Sequence, residues 1–230
     1  HNNWISISRA KNDFIKTYDD FFKYVDYAHD KGFNVTYLMN SPKPFSKGDL
    51  KTFKNDFIQL LKLLKQHNIQ DIKVANTQTI ELIDKYFNNE FNLHASTAFE
   101  FRDLTQYKFL FDTFPSFTLI DVTNGENYNF QALKALRKMF PKIKLELMVN
   151  EICLKSCPGR ISCISEKYSS CKGVLHNCGI LEYFIKTGVI YPWNLEYYSA
   201  LGINNFKFIA SAGRNNGRNN YHNISSLRTY

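Results

Sequence analysis

Residues 72–122 read IKVANTQTIELIDKYFNNEFNLHASTAFEFRDLTQYKFLFDTFPSFTLIDV. Along them the spacing of apolar residues switches between the two-residue beat of a strand and the beat of about 3.6 residues that marks a helix. Ile72 to Ala75 predicts a strand, Thr77 to Phe87 a helix and Phe91 to Ala95 a strand. Leu104 to Phe111 then predicts a helix and Phe117 to Val122 a strand. Strands and helices that alternate through short connections form βαβ units, whose strands pair in parallel through right-handed crossovers.

The same rhythm extends in both directions. Upstream, ISIS predicts a short strand, and Thr17 to Lys31 a helix with Phe21, Phe22, Val25 and Ala28 on one face, closed by Gly32. A strand follows over Phe33 to Met39, then a helix from near Asp49 that buries Phe53, Phe57, Ile58, Leu61 and Leu64. Downstream come a helix at Phe130 to Met139, a strand at Leu145 to Val149, a short helix at Leu181 to Lys186, a helix at Trp193 to Leu201 and a strand at Phe206 to Ala210. About seven or eight such units in one chain predict an α/β fold of the TIM type, a (β/α)8-like barrel. A doubly wound sheet is the alternative, although no glycine-rich phosphate loop follows an early strand. Residues 1–214 are expected to form the barrel domain and residues 215–230 a polar, Asn-rich tail. The strand ends at Asn40, Ala75, Ser96, Val122, Asn150 and Ser211 should open onto one rim, where barrel chemistry resides.

All five cysteines of the chain, Cys153, Cys157, Cys163, Cys171 and Cys178, fall in a loop over residues 150–179 that leaves from that rim. Cysteines serving as small core hydrophobes would be scattered, so the clustering points to a metal or iron-sulfur site. The intervening residues number three, five, seven and six. Structural zinc favours CxxC pairs, which are absent. The CxxxC start of a radical-SAM motif would need a further cysteine where Arg160 stands. Irregular spacing over a long loop suits a 4Fe-4S cluster, whose thiolates need only converge in space. Cys153, Cys157, Cys171 and Cys178 are the expected ligands, with Cys163 as the substitute or spare.

The chain of 230 residues is 44% hydrophobic and 22% charged, which is ordinary for a globular protein with a substantial core. No run of about 18 apolar residues suggests a membrane span, and HNNWISISRA lacks the charged and apolar regions of a signal peptide. A cytoplasmic protein is expected, whose reducing surroundings preserve thiolates. The sequons at Asn34 and Asn223 are accordingly discounted. The net charge of +8 suits RNA or acidic substrates, yet Lys51, Lys54, Lys62 and Lys65 occupy what should be a solvated helix face.

VNEICLKSCPGR after a strand, the later YPWNLEYYSALGINNFKFIASAGR, the early ISISRAKNDFIKTYDDFFKYVDYAHDKGFNVTYLMN and the strand LHAST together resemble the peptidase U-32 (collagenase-like) family. That resemblance spans nearly the whole chain. It implies a TIM-like barrel and a 4Fe-4S cluster held by four cysteines. The implied activity is oxygen-independent hydroxylation, or a similar modification, of an RNA base or a small aromatic substrate. A U-32 peptidase-like hydrolase is one alternative, and a noncatalytic binding protein with structural zinc in the loop is another. The family's SGRC element is Pro158 to Cys163 here, Ala212 stands where a glutamate is expected, and the family's first strand and helix have no counterpart before His1. Either the sequence is trimmed before His1, or the first barrel unit is missing or modified.

Four residues are candidates for chemistry. Glu151 follows a buried strand at the rim, where it would hold substrate or act as acid or base, or else pair with Arg160 or Lys155. His94 either faces the barrel interior towards the cluster or is a satisfied core histidine. Lys207, between Phe206 and Phe208, should point inward and needs a partner. Arg214 is suited to a carboxylate or phosphate. A protein partner and a homo-oligomer are both open. Peptidase chemistry of the serine type finds no GxSxG elbow.

Overall fold

The computed structural model describes residues 17–42, 46–101, 103–149 and 188–208. Six helices and six strands alternate within them: α1 (Tyr18–Asp30), β1 (Thr36–Met39), α2 (Lys47–Gln66), β2 (Asp71–Val74), α3 (Thr77–Phe87), β3 (Asn92–Ala95), α4 (Leu104–Thr113), β4 (Phe117–Asp121), α5 (Phe130–Met139), β5 (Lys144–Met148), α6 (Leu195–Ala200) and β6 (Asn205–Lys207). Short 3-10 turns at Thr97–Phe99, Asn124–Glu126 and Pro192–Asn194 trim the connections. The architecture is α/β with parallel strands, as the alternating rhythm predicts. No helix among the described residues is long and apolar enough to cross a membrane.

Helix ends are fixed by local chemistry. Thr17 caps α1, its hydroxyl accepting from the Asp20 amide at 3.1 Å, and Asp19 and Asp20 add negative charge to the first turn. Asn76 caps α3 by accepting from the Thr79 amide at 2.9 Å, while its Nδ2 donates to the Ser41 carbonyl and ties the helix start to the chain after β1. At the other ends, α1, α2 and α6 share one closing device. Gly32, Asn68 and Gly202 adopt φ of +79°, +56° and +72°. In each case the next residue's amide bonds back five positions, Phe33 to Ala28, Ile69 to Leu64 and Ile203 to Tyr198. The left-handed turn delays β1 to Thr36, three residues after the Phe33 expected from the pattern. The predicted Trp193–Leu201 helix is a 3-10 turn followed by α6, because Pro192 sits at the first turn without an N–H.

The described chain forms two compact units, one holding residues up to Phe99 together with Leu110–Phe117, the other holding Glu100–Phe109 and residues from Thr118 onward. In the first, β1, β2 and β3 pair in parallel, with Thr36 level with Asp71 and Asp71 level with Asn92. Met39, Ile72, Val74, Leu93 and Ala95 form its apolar face and are buried, as are Leu61, Leu64, Ile80 and Ile83 from the helices. Asp71, Lys73, Asn92 and His94 alternate onto the opposite face.

In the second unit, β4, β5 and β6 pair in parallel, with Asp121 level with Glu146 and Met148 level with Lys207. Ile120, Leu145 and Leu147 are buried, as are Leu133 and Leu136 of α5. Leu119, Asp121, Glu146, Met148, Asn205 and Lys207 share the other face. Parallel pairing brings the C-terminal ends Met39, Val74 and Ala95 to one edge in the first unit, and Asp121, Met148 and Lys207 to one edge in the second. The ISIS strand, the Leu181–Lys186 helix and the tail over 215–230 lie outside the described residues.

Two glycine substitutions separate backbone conformation from packing. A Cβ at Gly32 would meet nothing within 4 Å, so Gly32→Ala is expected to lose only the left-handed penalty, about 1–2 kcal/mol. Gly48, in the first turn of α2, has ordinary backbone and its nearest neighbour at 3.7 Å, so Gly48→Ala is expected to gain up to about 1 kcal/mol. Urea unfolding of the two variants checks both signs.

Candidate functional site

The C-terminal edge of β4, β5 and β6 brings together an ion pair and a buried polar network. Asp121 ends β4 with its side chain only 1% exposed, and Lys207 ends β6 with 31% exposure; Nζ lies 3.1 Å from Oδ2. Two strand spacings of roughly 4.8 Å separate β4 from β6, so the lysine stem crosses β5 to reach its partner. Asp121 is the partner that a lysine on this strand was expected to need. Asp121 was missed by sequence reasoning, although TLID carries a visible signal: a carboxylate that ends an apolar strand and alternates away from Ile120.

Tyr107 of α4 is buried in the same unit. Burial raises its hydroxyl pKa, and the charges of Glu126 and Asp121 push it further up. Asn127, in the same unit, is fully buried. Its Nδ2 donates to the Met148 carbonyl at 3.0 Å and also to the Gly188 carbonyl, and its main-chain carbonyl accepts from the Tyr198 hydroxyl at 2.8 Å. Burial, with Tyr128 contributing, raises the Tyr198 hydroxyl pKa. The Tyr128 hydroxyl donates to the Val189 carbonyl. The Val149 amide donates to the Lys207 carbonyl at 3.0 Å, and the Ile190 amide to the Val149 carbonyl at 2.9 Å. The chain therefore departs after Val149 and returns by Gly188 at one corner, next to Lys207.

His94 belongs to the first unit. Its Nε2 lies 3.3 Å from Asp71 Oδ1, with the side chain 12% exposed, and the same oxygen accepts from Asn92 Nδ2 at 3.1 Å. This is the arrangement of a partnered strand histidine on the polar face, with the buried Lys73 on the same strand row. Glu151, Arg214 and all five cysteines, Cys153, Cys157, Cys163, Cys171 and Cys178, lie outside the described residues. Among the described residues no group of three or more His, Cys, Asp or Glu is arranged to hold a metal ion.

Lys207→Met removes the counter-charge of a buried carboxylate and is expected to destabilise by roughly 3 kcal/mol, the low end for a buried pair because Lys207 reaches solvent. Adding Asp121→Asn should recover part of that loss, and chemical denaturation of the two single variants and the double variant reads the coupling. Alkali gives a second test. Tyr37 in the first unit is pushed up to about 12, by burial first and by Tyr18 next, and Tyr107 and Tyr198 are raised as well. The unfolded chain then releases its tyrosine protons first, near the ordinary pKa of about 10. The stability these tyrosines contribute is whole below that pH and is lost as pH rises through about 12. Circular dichroism should show base unfolding in this window, at a higher midpoint in Tyr107→Phe.

No family model matches the sequence, and no curated protein matches it. Among solved structures, the U32 peptidase Mk0906 matches with a TM-score of 0.56 and 16% identity, over 86% of this chain and 77% of that one. The likeness is one of fold, and it agrees with the resemblance carried by the sequence motifs: this chain is similar in its α/β fold to a U32 peptidase.

Proposed function

We propose that the chain is a U32-type barrel protein whose cysteine segment holds a 4Fe-4S cluster, and that it acts as an oxygen-independent hydroxylase or a similar modifying enzyme on an RNA base or a small aromatic substrate. One observation carries this reading: the segment containing every cysteine departs after Val149 and returns by Gly188 at the same corner, beside the Lys207–Asp121 pair. Thiolates are the donors that iron-sulfur clusters take, so the chemistry of the donor set fits the group. Cys153 follows Val149 by four residues, which a fully extended chain spans in at most about 14 Å. Cys153, Cys157, Cys171 and Cys178 would hold the cluster, with Cys163 as substitute. When bound, it would supply one-electron redox chemistry.

The chain's own residues have separate tasks in this reading. Lys207, kept in place by the Asp121 carboxylate, offers an ammonium to an anionic or carbonyl oxygen of the substrate. Glu151, at most about 7 Å of chain beyond Val149, would hold or move a proton, and Arg214 would take a carboxylate or phosphate. The excess of Lys and Arg supports RNA as the larger substrate class. Hydrolysis, the activity in the name of the structural neighbour, is the competing reading.

Iron and zinc measured on protein prepared and reconstituted without oxygen decide the matter. Bound iron with the visible absorbance of a cluster is expected, lowered by serine at any of Cys153, Cys157, Cys171 or Cys178. Zinc without iron would favour the structural metal loop, and neither metal would end the proposal.

A further inference from the structure

Asn127 has both donors of its carboxamide committed to main chain on opposite sides of one long segment. Nδ2 donates at 3.0 Å to Met148, where the chain departs, and to Gly188, where it returns. The two acceptors are 40 residues apart in sequence, and only a neutral –NH2 offers two hydrogens from one atom without bringing a charge into a buried site. A serine has one donor, an ionised aspartate none, and a leucine none. Asn127 is itself held through its backbone, because its main-chain carbonyl accepts from the buried Tyr198 hydroxyl. Next to it, the Ile190 amide bonds the Val149 carbonyl and the Tyr128 hydroxyl bonds the Val189 carbonyl, so the paired ends form a short stem.

We infer that Asn127 is the clasp of this stem, a positioning residue that holds Met148–Val149 and Gly188–Ile190 together next to Lys207. The inference deepens the function proposed above but stands on the chain alone. The amide carries no charge, so the clasp is insensitive to pH in the wild-type protein. Asn127→Asp keeps the size and changes that property. The protonated carboxyl donates one hydrogen bond, and the carboxylate donates none while facing two carbonyl oxygens.

Hydrogen exchange of the whole chain, read by mass spectrometry on peptides containing Val149 and Ile190, tests it with no dependence on bound metal. In Asn127→Asp these two peptides are expected to exchange at least about tenfold faster than in the wild type, the ratio that loss of two hydrogen bonds corresponds to. The excess should grow as pH rises through the carboxyl's titration, while peptides from α5 and β4 keep their protection. Asn127→Leu should show the same loss with no dependence on pH. If Asn127→Leu does not fold, Asn127→Asp at low pH, with one donor kept, carries the test. Unchanged exchange at both peptides, or loss spread equally over α5 and β4, would overturn the clasp. Absence of iron would sink the cluster reading and leave this result intact.

Discussion

A parallel strand cannot follow its neighbour through a tight turn; the chain must first travel back along the sheet, and a helix is the cheapest way to do so with every backbone group bonded. This constraint dictates the helix before each described strand. It also sends every C-terminal strand end within a unit to one edge. Asp121, Met148 and Lys207 meet there because their strands share a direction, whatever the identity of the residues themselves. The helices, in turn, must stop and reverse on time. Gly32, Asn68 and Gly202 perform that reversal at the ends of α1, α2 and α6, using the residue types that tolerate a left-handed backbone.

One face of each set of strands is apolar and the other is charged, and the two contribute differently. Ile72, Val74, Leu93, Ile120, Leu145 and Leu147 give up water for close packing, the dominant favourable term in folding. Lys73 and Asp121 give up hydration and recover it only through partners, which is seldom a net gain in stability. Asp71 is met by Asn92 and His94, and Asp121 by Lys207. A fold seeking stability alone would place leucine or valine in such rows. Partnered charges near strand ends hold ionic groups at a defined place at a cost in stability.

The local half of this structure was legible in the sequence. Helices α3 and α5 fall at Thr77–Phe87 and Phe130–Met139, as their spacing predicts, because caps and amphipathic periodicity are written within a few residues. The Gly32 stop was readable for the same reason. That Lys207 needs a partner could be read from its place between Phe206 and Phe208, but the partner itself could not, since Asp121 is 86 residues away in sequence. Asn127 was invisible for a similar reason. Its contacts reach Met148, Gly188 and Tyr198, and nothing within GENYNF distinguishes a buried amide from a loop asparagine. His94 lay between the two cases, its strand evident and its partner Asp71 on the neighbouring strand not. The roles read for Glu151, Arg214 and the cysteines fall on residues beyond those described, so for them the sequence stands alone.

The joined ends at Val149 and Ile190 also bear on how such a chain can evolve. Once two points are held by the surrounding fold, the free energy of closing the chain between them depends only logarithmically on its length, on the order of 0.6 kcal/mol for a doubling. The sheet therefore has little stake in how many residues lie between the anchors or in what they are. A stretch inserted, shortened or exchanged there leaves the pairing of β5 with β4 and β6 undisturbed. The corner beside Lys207 is in that sense a socket, through which one scaffold could accept different chemistry without being rebuilt.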